Sequence, residues 1–160
     1  VAQVADAGGG FSSSAIRAEL ALGDVEGAAD MLGHWWRVSG TVIGGAKRGT
    51  GLGFPTANIA LAPGTALAHG IYAVRVLVDG KTHPAAAYLG TRPTFDGGAA
   101  MLEVFLLDFD GDLYGRQIAV DFIAHIRGDR RFDGEDALKR QMQADCEQAR
   151  QKLAEASDRP

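Results

Sequence analysis

A mainly β domain, an antiparallel barrel or sandwich of about six strands, is what this sequence predicts, and three observations predict it. From Trp35 onward, apolar and β-branched residues recur with period two, the spacing that turns successive side chains to opposite faces of a strand. Turn residues separate these runs, and Asp79-Gly80 is the strongest two-residue hairpin signal among them. No helical pattern intervenes between the strands, so the connections are hairpins and loops rather than the helical crossovers of a parallel sheet.

The elements follow in order. Residues 1–11 are small or polar and end in Gly8-Gly9-Gly10, which reads as loop. A helix starts near Ser14, serine being a favoured cap, with Ile16, Leu20 and Leu22 as its apolar side, and Gly23 stops it. Asp24 caps a second helix through Ala28, Ala29, Met31 and Leu32, ending at Gly33. Strands are expected over Trp35–Ile43, Asn58–Leu61, Ile71–Val78, Thr82–Leu89, Met101–Phe109 and Gln117–Ile126. Tyr72, Val74, Val76 and Val78 share one face of the third; Ile118, Val120, Phe122, Ala124 and Ile126 alternate along the sixth. Pro84 lacks a backbone donor and puts part of its strand at an edge or bulge. The last segment is a helix capped by Asp133, with Leu138, Met142, Cys146, Ala149 and Leu153 in a stripe that needs the outside of the sheet as its partner. Ser157–Pro160 should fray.

Size and composition bound the function. At 160 residues, 46% hydrophobic and 22% charged, the chain suits one globular domain with a short appendage. No apolar run approaches the ~20 residues of a membrane span. A net charge of −4 argues against a general grip on nucleic acid. Positive charge is local, at Lys47-Arg48 and Arg127–Arg131, which suits a small anionic ligand; Arg127, Arg130 and Arg131 are otherwise a solvated run. A lone cysteine, Cys146, makes no internal disulfide, so a cytoplasmic location is expected. The Val-Ala-Gln-Val start, with no signal segment after it, leads us to expect a piece of a longer protein.

Chemistry is concentrated in Gly40–Ile59, reading GTVIGGAKRGTGLGFPTANI. Its glycines allow sharp turns and leave room for a bulky anion beside backbone N–H groups, with Lys47 and Arg48 as countercharge. Thr56 and Asn58 present two neutral oxygens on alternate residues, on one face of an extended chain, and a hard cation such as Mg²⁺ prefers oxygen ligands. The run lacks the Gly-Lys-Ser/Thr ending of a P-loop, and no helix follows as a dinucleotide fingerprint requires. By glycine content alone it reads first as a flexible hairpin. Glu103 is the single charge between Met101 and Leu107, on a strand with two largely apolar faces. It is either a solvated edge carboxylate or a group held in a partly dry cavity, where it can accept a proton from a substrate hydroxyl. Asp108, Asp110 and Asp112 are read as turn residues. His34, His69, His83 and His125 are scattered singly and receive no catalytic role.

Gly53-Phe54-Pro55-Thr56-Ala57-Asn58 resembles the signature of the riboflavin kinase family, in particular the kinase module of bacterial bifunctional riboflavin kinase/FMN adenylyltransferases. Three more segments match in order: Gly90-Thr91-Arg92-Pro93-Thr94-Phe95, similar to the family's flap; Glu103–Phe109 with Gly111–Gly115; and Phe132, Leu138, Gln141, Asp145 and Ala149 of the last helix. The resemblance implies a six-stranded antiparallel Greek-key β-barrel, with a C-terminal α-helix packed on it and two short N-terminal helices. It implies transfer of the γ-phosphate of ATP to the 5′-hydroxyl of riboflavin, giving FMN and ADP. Gly45, Lys47, Gly49, Gly53 and Pro55 would lie along the ATP phosphates, Thr56 and Asn58 would hold Mg²⁺, and Glu103 would be the base. Arg92, Thr94 and Phe95 would cover the flavin.

Ser12-Ser13-Ser14-Ala15-Ile16-Arg17 is similar to the end of the adenylyltransferase module of the same enzymes. Residues 1–33 are therefore expected to be a remnant of that module with linker helices, residues 34–156 the kinase domain, and 157–160 a tail. A covalently attached adenylyltransferase module is the expected partner in the parent protein, but its His-x-Gly-His-type motif is absent here and its activity is not expected. Tyr88 stands where the family usually has asparagine, Leu89 replaces isoleucine, and Thr50 and Gly44 replace a common arginine and histidine. The rival classes are a non-catalytic flavin- or nucleotide-binding barrel and a protein-interaction module.

Overall fold

The computed structural model of the chain describes residues 13–43, 55–62, 64–90, 100–109, 111–128 and 132–156. Two short helices, α1 (Ser13–Ala21) and α2 (Val25–Leu32), precede six strands: β1 (Trp36–Thr41), β2 (Thr56–Ala60), β3 (Gly70–Val78), β4 (Lys81–Leu89), β5 (Met101–Leu106) and β6 (Gln117–Arg127). A long helix, α3 (Glu135–Glu155), follows. Asp24 caps α2 as its sequence position predicts, its carboxylate accepting from the Gly27 amide at 2.9 Å.

The strands form one antiparallel sheet in the order β1-β6-β3-β4-β5-β2. Within it β3, β4 and β5 are neighbours in sequence order, and β6 returns to lie beside β3, which is the Greek-key arrangement. The sheet curls until its two edge strands approach, where the Ile43 amide donates to the Asn58 carbonyl at 2.9 Å. Asp79 (φ 52) and Gly80 (φ 79) make the left-handed turn of the β3–β4 hairpin. Pro84 lies just past the end of the β4–β5 ladder, which runs from Ala85↔Leu106 to Leu89↔Leu102, so its missing donor costs no rung there.

Alternation divides β3, β4, β5 and β6 between two cores. The concave side gathers Ile59, Tyr72, Val74, Val76, Leu102, Val104, Ile118, Val120 and Phe122. The convex side buries Ala73, Ala86, Phe105 and Ala124 against Met142, Cys146 and Ala149 of α3, as the helix stripe predicts. Ala124 and Ile126 depart from the expectation that they share a face with Phe122. Val74 pairs with Phe122 and Ala73 with Ala124, so Ile123 is an extra residue on β6. This bulge switches the parity of the strand and sends Ala124 to the helix side.

Asp133 does not cap α3. Gly134, at φ 137, occupies the cap position without a side-chain bond, and the first turn instead carries Glu135 and Asp136, whose charges suit a helix N-terminus. Among the described residues, no helix is long and apolar enough to cross a membrane.

Candidate active site

A row of side chains crosses the convex face of the sheet. Leu102, Val104 and Leu106 fill the concave core, so Glu103 between them points the other way. On β2 the inward residues are Ala57 and Ile59, which leaves Thr56 and Asn58 on the convex side. Asn58 stands directly opposite Glu103 in the β2–β5 ladder. On the other flank, Tyr88 of β4 stands directly opposite Glu103. The row continues through Ile71 of β3 to Arg127 of β6. Directly opposed residues of an antiparallel pair have Cβ atoms about 4.5–5.5 Å apart, so Asn58, Glu103 and Tyr88 leave the sheet side by side.

Glu103 is only 2% exposed, which overturns the solvated-edge reading. The two apolar faces seen in the sequence are the two cores, and the strand has no wet side at this position. Asn58 Oδ1 is also buried and accepts no hydrogen bond among the described residues. A buried acceptor without a donor is costly, and a hard cation at that oxygen would relieve the cost. Among the described residues no group of three or more His, Cys, Asp or Glu converges.

The far end of the row is fixed to α3. Arg127 grips Asp145 with two hydrogen bonds, Nε to Oδ1 at 2.9 Å and Nη2 to Oδ2 at 2.7 Å. Gln141 adds a third bond to Asp145 at 2.9 Å, and the guanidinium stands 5.5 Å from the centre of the Phe132 ring. Arg127 thus leaves the solvated run to which its sequence assigns it; it is the anchor of the helix. Further along, Arg150 of α3 reaches Asp108 at 3.1 Å, while Asp112 accepts from the Tyr114 amide as a turn residue does. Cys146 is core: burial first, and then the Asp145 charge, push its thiol up to about 11, so it stays protonated and unreactive.

Thr56, Asn58 and Glu103 are thus brought to one face of the β2–β5 ladder, with Pro55 just before β2. Gly45, Lys47, Gly49, Gly53, Arg92, Thr94 and Phe95 lie outside the described residues, as do Arg130, Arg131 and Asp110. Two members of the row escaped the sequence reading as site residues. Tyr88 is marked there only by its unusual identity, and Arg127 only by its charge. Neither shows its neighbour locally, because strand register joins positions 15 and more residues apart.

The riboflavin kinase (Flavokinase) family model matches residues 32–153. Bifunctional riboflavin kinase/FMN adenylyltransferase of Pseudomonas fluorescens is 42% identical over 149 residues, covering 92% of this chain and 48% of that protein. Its Escherichia coli K12 counterpart is 44% identical over 136 residues, covering 84% and 44%. The chain spans about half the length of the curated relatives it matches. Among solved structures, riboflavin kinase from Trypanosoma brucei superposes with a TM-score of 0.51 at 25% identity, over 74% of this chain and 80% of that one. A crystal structure described as a macrolide-efflux protein from Streptococcus pneumoniae superposes with a TM-score of 0.78 at 38% identity, over 94% and 50%. With the family model spanning the sheet and most of α3, the chain belongs to the riboflavin kinase family.

Proposed function

We propose that this chain transfers the γ-phosphate of ATP to the 5′-hydroxyl of riboflavin, releasing FMN and ADP. The family match carries the reaction; the direct pairing of Asn58 with a buried Glu103 supports the division of labour within it. Phosphoryl transfer asks for positioning and charge neutralisation more than for covalent chemistry by the protein. Glu103 accepts the proton of the 5′-hydroxyl as that oxygen bonds to the γ-phosphorus and the bond from phosphorus to the β,γ-bridging oxygen breaks. Its burial keeps away the water that would otherwise compete for the phosphoryl group.

Thr56 and Asn58 are the residues that would hold Mg²⁺, and the orphaned Oδ1 of Asn58 fits that role. When bound, the ion supplies positive charge against the phosphate oxygens. The glycine run with Gly45, Lys47, Gly49, Gly53 and Pro55 lies along the ATP phosphates, and Arg92, Thr94 and Phe95 cover the flavin. Residues 34–156 are the kinase unit. Residues 1–33 are the end of an adenylyltransferase module with its linker helices, and that module is the covalent partner in the parent protein. Adenylyltransferase activity is not assigned to this chain. The cytoplasm, where ATP and reduced thiols prevail, is its proposed location.

Incubation with riboflavin, ATP and Mg²⁺, followed by chromatography, tests the reading: FMN and ADP should accumulate together. A chain that forms no FMN across a range of Mg²⁺, and does not quench riboflavin fluorescence, would instead be an interaction module; quenching without FMN would make it a binding module.

A further inference from the structure

Glu103 is almost wholly buried, and each flanking strand sets one neighbour directly opposite it. On the β2 flank that neighbour is Asn58. On the other it is Tyr88, half-buried, facing the same side and packed on the cluster formed by α3 with Phe105, Met142 and Cys146. The phenol runs along β4 toward Gly90. A Cβ built on Gly90 would stand 2.6 Å from Cζ and 2.8 Å from Cε2 of Tyr88, far inside contact distance. Gly90 therefore leaves the space that this ring fills, and the ring's position depends on the absence of a side chain there.

We infer that Tyr88 is a specificity-determining residue for the phosphoryl acceptor. Its ring walls the path to Glu103 on the side away from Asn58, and it gives an apolar face to the carbon skeleton of an acceptor that carries a polyol chain on an aromatic ring. The inference rests on the kinase reading above and names a contact of the same site. Tyr88 moves no proton; it holds the acceptor so that the reacting hydroxyl meets Glu103. Its effect belongs to acceptor binding and leaves the nucleotide side alone.

Steady-state kinetics and riboflavin fluorescence titration test this on the whole chain. Tyr88→Ala should raise the riboflavin KM and Kd roughly threefold to tenfold, the range one aromatic contact supplies, with the ATP KM unchanged. Tyr88→Phe, which keeps the ring, should restore most of the affinity. Gly90→Ala, which displaces the phenol, should weaken riboflavin binding in the wild-type background and add nothing to Tyr88→Ala, since the two act through one contact. Equal shifts in the riboflavin and ATP constants, additive Gly90 and Tyr88 effects, or a Tyr88→Ala chain with wild-type riboflavin constants would each overturn the inference. The last result, from a chain that still makes FMN, leaves the kinase reading intact; a wild-type chain that makes no FMN removes both.

Discussion

The proposed division of chemistry between Asn58 and Glu103 follows from atoms that differ in kind. The carboxylate can take a proton and the amide oxygen cannot, yet the amide oxygen is a neutral, hard donor buried without a hydrogen of its own among the described residues. Asn58→Ala should therefore raise the Mg²⁺ concentration giving half-maximal FMN formation by roughly tenfold or more, with little change in riboflavin binding. A Mg²⁺ titration of initial rates reads it, and an unshifted midpoint would remove Asn58 from the metal site. These two residues were legible in the sequence for local reasons. Glu103 interrupts an apolar strand, and Thr56 and Asn58 are spaced by two in an extended segment, so a single strand displays each signal. Tyr88 was not legible as their neighbour, because only the β4–β5 register sets it opposite Glu103.

At the scale of elements, α3 matters because it covers the row from Arg127 toward Tyr88. Its hold on the sheet combines the apolar stripe with the Arg127–Asp145 pair, whose side chains are 16% and 3% exposed. Removing one partner of such a pair strands the other charge, so Asp145→Ala should cost roughly 3 kcal/mol. A urea midpoint unchanged from wild type would contradict it. The α1–α2 corner is held differently. His125 lies against Tyr72, with ring centres 4.8 Å apart, and is backed by Gly23 and Gly70. Burial lowers its pKa from the ordinary 6.5, opposed by a backbone hydrogen bond with His69. The unfolded chain thus binds a proton at pH values where the folded chain does not. The stabilisation is complete above pH 6.5 and fades as pH falls from there toward the folded pKa. Urea midpoints at pH 7.5 and 5.5 should show that loss, and His125→Asn should reduce it. The apolar stripe and the Asp24 cap were readable from spacing alone. The Ile123 bulge was not: an uninterrupted alternation from Ile118 to Ile126 carries no mark of the extra residue, which is placed by pairing with β3.

Over the whole molecule, the fold sets two cores back to back through one sheet, and the proposed reacting groups, Asn58 and Glu103, lie on the convex side rather than inside the curl. The strand count, the hairpin at Asp79-Gly80 and the covering helix follow from periodicity and turn chemistry. The order β1-β6-β3-β4-β5-β2 required contacts between distant segments, and local pattern does not encode them. That topology carries β5 between β4 and β2, and so puts a carboxylate between the proposed acceptor and metal sides. The most direct test is FMN formation by the wild type and Glu103→Gln side by side, with riboflavin binding followed by fluorescence. The glutamine variant should bind riboflavin as the wild type does and form FMN roughly 10²–10⁴ times more slowly. A Glu103→Gln chain that turns over at the wild-type rate would contradict the assignment of the proton to Glu103.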